Sequence, residues 1–477
     1  MNYKTPGVYV EEIQKLPPSI AQVETAIPVF IGYTEMAEDA RGFSLHLEPK
    51  RIVSLFEYER YFGRAQSEIG SLTVTISQRL GQPINIFAKV DEQIRSKYWM
   101  YYSLQFYFAN GGGPCWIVSA GTYDTGGGIV GFTELKTGLD TIEKVDEITL
   151  IVFPDAQNLT TASDYYRLYG EAMDLCTQMK DRFTVLDVWN DPALPPEDWR
   201  TNIDTLRNTT GNEIETLKYA AAYFPNVETI LDYWYGGEGD GDGNVQVVHV
   251  GGDGAYSGTL AELRSKNNSL YFLARNAVRD VPVILPPSSG MVGVYANVDN
   301  SRGVWKAPAN VNMDFVIKPV LRITDQEQAD LNVDVNAGKS INVVRSFTGR
   351  GPAIVWGSRT LTGNDNEWRY IPVRRYYNMV EESVKKASNQ FVFEPNDANT
   401  WVRVKGMIEN FLTLQWRGGA LMGSSTEEAF FVKVGLNQTM SELDIWEGRM
   451  IVEIGMAVVR PAEFIILRFS HKMLQES

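Results

Sequence analysis

Two aspartates come first among the residues that could do chemistry. Asp155 and Asp187 each follow an apolar run, 148–153 and 183–186, that reads as a buried strand. A carboxylate at the carboxyl edge of such strands is where α/β enzymes place acid–base groups. That work needs partners, and the chain has only His46, His249 and His471, none in a nucleophile–base motif. It contains no G-x-S-x-G elbow and no H-E-x-x-H motif. Asp also caps loops and helix starts routinely, and that plainer role is the one the sequence favours.

Other motifs fail at their diagnostic positions. Gly338-Lys339-Ser340 resembles the end of a phosphate-binding loop, but Val333 stands where the first glycine must be. Asp240, Asp242 and Asn244 begin like a calcium loop. Val245 and Gly251 then occupy the places of its turn glycine and its bidentate glutamate. Cys115 and Cys176 match no zinc spacing and read as buried thiols. No catalytic, cofactor-binding or metal residue is assigned, and no cofactor is expected.

The elements around these residues alternate in type. Residues 26–33 and 115–118 read as buried strands, the second after the turn Asn110-Gly-Gly-Gly-Pro114. Residues 164–180 set Tyr165, Leu168, Tyr169, Ala172, Cys176 and Met179 on one helical face. Residues 260–279 read as helix and 281–285 as strand. Strand, helix, strand with solid apolar strands is an α/β pattern with parallel pairing. The Gly/Asp-rich segment 236–254 reads as an exposed loop or hairpin. Towards the C-terminus, 373–387 carries Glu381 and Glu382 four residues before Lys385 and Lys386, the favoured order for helical ion pairs. Trp401, Val404, Ile408, Phe411 and Gln415 share a face of a second helix. Ser425-x-x-Glu428 and Thr439-x-x-Glu442 read as capping boxes.

Both chain ends read as strands without a local partner. Residues 4–13 alternate Val8 and Val10 against Tyr9 and Glu11, then meet Pro17-Pro18. After Pro461, Phe464, Ile466 and Arg468 alternate against Ile465, Leu467 and Phe469. No hairpin turn supplies either with a neighbour. Such edges normally invite aggregation, so each is expected to pair with another copy of the chain.

The 477 residues are 44% hydrophobic and carry a net charge of -15, which disfavours nucleic acid as a partner. Residues 338–477 hold 17 Lys+Arg against 15 Asp+Glu, while residues 1–337 hold 27 against 44. No apolar run approaches the ~18 residues of a membrane span and residues 1–9 lack an apolar leader, so synthesis in the cytosol and no direct membrane insertion are expected.

Several long segments, in order, resemble contractile tail sheath proteins. They are TPGVYVEEI (5–13), NGGGPCWIV (110–118), PPSSGMVGVYANVDNSRGVWKAPAN (286–310), INVVRSFTGRGPAIVWGSRTL (341–361), EWRYIPVRR (367–375), FVFEPND (391–397), TLQWRGGALMGSSTEEAFFVKVG (413–435) and RPAEFIILRFSHK (460–472). The resemblance implies a structural protein, not an enzyme. It implies hexameric rings stacked as a helical polymer around an inner tube protein, contracting to drive that tube into a target membrane. Baseplate and terminal cap proteins are the further implied partners. The implied setting is a phage tail-like particle made in the bacterial cytoplasm and released outside it.

The expected fold class is thus α/β and α+β multidomain, with an inner domain built from both chain ends. The divisions expected are an N-terminal strand arm (1–25), a middle α/β domain further out (26–45 and 106–337), an insertion (46–105), a C-terminal inner sheath domain (338–460) and a C-terminal strand arm (461–477). The inter-subunit strand residues are Val8, Tyr9, Val10 and Glu11, with Phe464, Ile465, Ile466, Leu467, Arg468 and Phe469. By the resemblance a helix of the C-terminal domain touches the tube, and its candidates are Arg374, Arg375, Lys385, Lys386, Arg403 and Lys405. The alternative from another class is an adhesin or baseplate-type binding module that does not polymerise.

Overall fold

The solid apolar runs become buried strands. In the computed structural model, which describes residues 19–78, 84–126, 128–237, 239–251 and 254–468, the chain is mixed α/β. It divides into two units. The larger comprises Glu24–Asn378 and the chain from Arg460; the smaller comprises Met379–Val459 and residues 19–23.

The strands of the larger unit are β1 (Pro28–Thr34), β2 (Lys50–Ile52), β3 (Leu72–Ser77), β4 (Asn85–Val90), β5 (Cys115–Thr122), β6 (Leu150–Val152), β7 (Phe183–Asp187), β8 (Ala220–Phe224), β9 (Val227–Thr229), β10 (Gln246–Val250), β11 (Gly258–Thr259), β12 (Ile284–Leu285), β13 (Val316–Pro319), β14 (Ile341–Phe347) and β15 (Gly351–Trp356). Eight of them form one sheet in the order β15-β14-β8-β7-β6-β1-β5-β2. From β14 to β5 every pairing is parallel; β15 and β2 close the two edges antiparallel. Along β1, Phe30 enters one core while Val29 and Ile31 enter the other, so both faces are covered. Helices Met100–Ala109 and Ser288–Arg302 belong to the first core and Ala162–Met179 to the second. Gly293 lets two of these helices touch: a Cβ there would lie 2.5 Å from the Tyr107 carbonyl oxygen.

Two smaller sheets complete this unit, β11-β10-β3-β4 and β12-β9-β13. The first corrects the expected insertion. β3 pairs in parallel with β10, so part of 46–105 and part of the Gly/Asp-rich segment 236–254 form one sheet. The remainder of 46–105 belongs to the main body, because β2 pairs with β5 and the Met100–Ala109 helix is core. The boundary expected at Gly338 also moves. β14 and β15 extend the large sheet, since β8 would otherwise be an unpaired apolar edge, and the division falls at Met379 inside the helix Ile371–Ser388.

The smaller unit is helix Ala398–Arg417 over a two-stranded antiparallel sheet, β16 (Phe430–Lys433) and β17 (Glu453–Met456). Asp397 starts the helix by accepting the Thr400 N–H at 3.0 Å. Val404, Met407, Ile408, Phe411 and Leu412 form its buried face, as the sequence spacing requires. The expected caps shift. Ser425 makes no side-chain cap, and Glu428 instead accepts from the Ser424 N–H and hydroxyl. The second capping box is Ser441 with Asp444, not Thr439 with Glu442, because the helix begins at Glu442.

Candidate functional site

The residues that resembled an active site are fastened into the fold. Asp155 stands just past the carboxyl end of β6 and Asp187 is the last residue of β7, the edge where a ligand would bind a doubly wound sheet. Asp155 is fully buried and accepts the N–H of Tyr33 at 2.6 Å and that of Trp99 at 2.5 Å, at the start of the Met100–Ala109 helix. Asp187 accepts the Ser288 N–H at 2.9 Å, at the start of the Ser288–Arg302 helix. Both carboxylates seat helix N-termini in the crevice instead of lining it. Burial pushes the pKa of each up to about 7, against hydrogen bonds that pull it down.

The other motifs resolve similarly. The Lys339 ammonium donates to the carbonyls of Arg207 at 2.6 Å and Thr210 at 2.5 Å, so it closes the C-terminal end of helix Trp199–Thr209. Asp242 is buried and accepts from the Tyr271 hydroxyl at 2.9 Å; Asn244 donates to the Tyr235 carbonyl at 2.8 Å. These are turn fastenings. Cys115 and Cys176 are buried, and burial pushes both thiols well up. His46 is exposed and His249 is buried against Tyr256. His471 lies outside the described residues.

The six basic candidates separate into two groups. Arg374 and Arg375 are 2% and 3% exposed, which withdraws them from any surface contact. Arg374 lies against Trp368 and Tyr219 and donates to Asn378. Arg375 pairs with buried Asp299 and donates to the Thr25 carbonyl. The sequence gave no sign of this burial, since Tyr219, Asp299 and Thr25 are remote along the chain. Lys385, Lys386, Arg403 and Lys405 do lie at the surface, each beside a carboxylate: Glu382 for both lysines of the pair, Glu394 and Glu409 for the others. Met379–Val459 as a whole carries seven Lys+Arg against eleven Asp+Glu. The positive excess seen after residue 338 therefore belongs to 338–378 and 460–477, both in the larger unit.

Of the strand residues, Val8, Tyr9, Val10, Glu11 and Phe469 lie outside the described residues. Phe464, Ile465, Ile466 and Leu467 are 69–80% exposed, and among the described residues they and Arg468 form no strand. Four consecutive large apolar residues in water are a surface prepared for burial elsewhere. Just before them Glu463 is seated in the larger unit by Arg359, Asn332 and Tyr370. In the smaller unit β16 and β17 pair only with each other among the described residues. A two-stranded sheet is marginal by itself.

Two further surface features escaped the sequence reading. Phe393 has a left-handed backbone, φ 71°, and is fully exposed at 102%. A bulky residue is disfavoured in that conformation and an aromatic ring is disfavoured in water, so it is held against two costs. Gly406 sits inside helix Ala398–Arg417 on its exposed side, where an added Cβ would meet nothing within 4 Å. Nothing inside the subunit needs a glycine there. The run FVFEPND and the glycine were both visible in the sequence, but only exposure and dihedral angle set them apart.

Comparison with known proteins points to one family. Residues 363–472 match the phage tail sheath C-terminal domain. The tail sheath protein of Vibrio phage KVP40 is 31% identical over 137 residues, and that of Enterobacteria phage T4 is 28% identical over 121. These matches cover 28% and 25% of this chain, and it spans only a fifth of the length of those curated relatives, 20% and 18%. Solved structures match end to end. The helical sheath of the anti-feeding prophage in its contracted state is 32% identical, with a TM-score of 0.64, covering 98% of this chain and 100% of that one. The contracted sheath complex of the extracellular contractile injection system PVC is 29% identical, TM-score 0.64, covering 99% of both chains. A chain of the anti-feeding prophage baseplate is 31% identical over 99% of this chain and 100% of its own length, TM-score 0.63. No helix among the described residues is long and apolar enough to cross a membrane. With a full-length relative above 30% identity and the sheath domain matched in sequence, this chain belongs to the family of contractile tail sheath proteins.

Proposed function

We propose that this chain is the structural sheath subunit of a contractile injection particle. Subunits form hexameric rings that stack as a helical polymer around an inner tube, and contraction drives the tube through a target membrane. Baseplate and terminal cap proteins bound the polymer, and no residue is assigned a catalytic role. The particle is assembled in the cytoplasm and acts outside the cell.

The observation that carries this reading is, among the described residues, a sheet of only two strands and an exposed apolar run in one molecule. The smaller unit offers β16 and β17, and the C-terminus offers the exposed run 464–467. Strand addition between copies completes both at once. The contact is head-to-tail, and where its rotation does not close, repetition generates a helical filament. The N-terminal residues Val8, Tyr9, Val10 and Glu11 are assigned to the same shared sheet. Lys385, Lys386, Arg403 and Lys405 are assigned to the tube-facing surface, where exposed charge sets specificity and rate of docking more than affinity.

Deleting residues 1–13 tests the joint. The expected product is a folded, soluble monomer that forms no tubes by negative-stain microscopy. Tube formation equal to that of the full chain would refute the strand-addition reading. An adhesin would instead run as a small defined oligomer on a sizing column, with or without those residues.

A further inference from the structure

We propose that Arg359, Asn332 and Tyr370 form a socket for Glu463 that fixes the point at which the C-terminal arm leaves its own subunit, and with it the register in which the arm enters a second copy of this chain. The inference deepens the strand-addition reading above and rests on it.

The socket is complete on the carboxylate side. Arg359 donates Nε to Oε1 at 2.9 Å and Nη2 to Oε2 at 2.6 Å, a two-pronged pairing. Asn332 donates Nδ2 to Oε1 at 2.6 Å, and Tyr370 donates its hydroxyl to Oε2 at 3.2 Å. Arg359 is itself fixed from behind. Its Nη1 donates to the carbonyls of Gly363 at 3.0 Å and Asn332 at 3.3 Å, and its side chain is 4% exposed. Its backbone N–H donates at 2.8 Å to Asn342 Oδ1, and Asn342 Nδ2 donates at 3.1 Å to the Ala222 carbonyl. A continuous line of hydrogen bonds thus runs from Glu463 to β14 and β8 inside the large sheet.

Stability alone does not explain such a site. A buried ion pair contributes little net free energy, because desolvation cancels most of the attraction. What the two-pronged geometry supplies is uniqueness: one residue of the arm fits and its neighbours do not. Uniqueness matters at this place, because the exposed run begins at the next residue. Glu463 is mostly buried, while Phe464 is 69% exposed. A strand that slips by one residue turns every side chain to the opposite face. An arm that must present Phe464 and Ile466 to a neighbour's core, and not Ile465 and Leu467, needs its origin set to the residue. Desolvation raises the Glu463 pKa, but the hydrogen bonds and charge of Arg359, with Asn332 and Tyr370, outweigh it and leave the group below its usual range. The carboxylate is therefore charged, as the socket requires, at any pH near neutral.

The test uses the full-length chain with alanine insertions between Glu463 and Phe464. One inserted residue should abolish tubes, and two should restore them in part. In Glu463→Ala the critical concentration for tube formation should rise about tenfold, which is ~1.4 kcal/mol per contact. In that variant the difference between one and two insertions should vanish, because nothing then sets the origin. Unfolding midpoints of the insertion variants should stay near that of the parent chain, while Glu463→Ala should have a lower midpoint because it leaves the buried Arg359 guanidinium without its carboxylate. If Glu463→Ala polymerises like the parent, or if insertion parity persists in it, the socket has no such role. If Glu463→Ala fails to fold, Glu463→Gln serves in its place. A chain truncated after Glu463 separates the two ideas. If it still forms tubes, strand addition by this arm is wrong. If it forms none while Glu463→Ala is normal, only the socket is wrong.

Discussion

The two units differ in how far they satisfy themselves. In the larger, β1, β7 and β8 are buried along their whole length, and helices cover both faces of the sheet. In the smaller, one long helix covers two strands, with Phe431, Leu414 and Val402 left 44–71% exposed. The larger unit reads as a body that folds alone. The smaller carries apolar surface and sheet edges beyond what its own residues cover, as expected of a part whose remaining structure comes from other molecules. The exposed run 464–467, by contrast, belongs to the larger unit, so the surfaces proposed for strand addition are found on both units.

The largest effect should follow from cutting the joint. Removing 464–477 should leave the far-UV circular dichroism and unfolding midpoint of the body nearly intact and eliminate tubes. If the body were to unfold instead, the arm would be an internal element and the contrast would fail. Next in size is damage to the body. Leu186 is fully buried in β7, and Leu186→Ala should cost about 2–5 kcal/mol in denaturant unfolding. A change of like size at Leu414, which is 55% exposed, should cost well under 1 kcal/mol in the free subunit.

Asp155 and Asp187 sharpen the comparison by pH. Burial raises both to about 7 in the folded chain, above the ~3.9 of an unfolded aspartate. A raised folded pKa means the native state binds the proton more tightly. Their contribution is then fully present below the unfolded pKa and is lost as pH rises through about 7. Unfolding free energy should fall between pH 5 and pH 8, and the slope should flatten in Asp155→Asn. That variant should also be less stable at pH 5, since both Asp155 oxygens are in use. An unchanged slope would mean that the helix N-termini hold these groups ionised.

What the sequence disclosed follows the range of the interactions. Strands β1, β6 and β7 and the helices Ala162–Met179 and Ala398–Arg417 were legible because burial repeats within each segment. The placement of β14 in the large sheet was not, because its partner β8 lies more than a hundred residues away and its apolar run fits either unit. The same holds for β3 and β10. The roles of Asp155 and Asp187 were legible only as a choice between acid–base work and capping; the N–H groups of Tyr33, Trp99 and Ser288 decided it. At the chain end the apolar run 464–467 was plain in the sequence, and all four of its side chains are exposed. The socket around Glu463 was hidden, because Asn332, Arg359 and Tyr370 converge only in three dimensions. The charge split was local in origin, since several arginines that make it up, such as Arg359, Arg374 and Arg375, are buried in the larger unit.

Phe393 and Gly406 probe the smaller unit at finer scale, and each makes stability and assembly move in opposite directions. Phe393→Gly removes a left-handed phenylalanine, so the free subunit should gain about 1 kcal/mol while assembly weakens if the ring is seated on a partner. The smallest effect is expected from Gly406→Ala. Glycine in a helix interior costs roughly 1 kcal/mol relative to alanine, and a Cβ at this position meets no atom of its own chain. The substitution should therefore raise the unfolding midpoint of the free subunit slightly. On a solvated face that gain would carry through to the assembled particle. If another backbone lies against this side of helix Ala398–Arg417, the added methyl must push it away, and co-assembly with the inner tube should fall even though the subunit is more stable. Measuring the midpoint and the yield of tube-filled sheath on the same preparation distinguishes the two. A gain in both would mark the face as solvent-facing and remove Arg403 and Lys405, on the same helix, from the tube-contact surface.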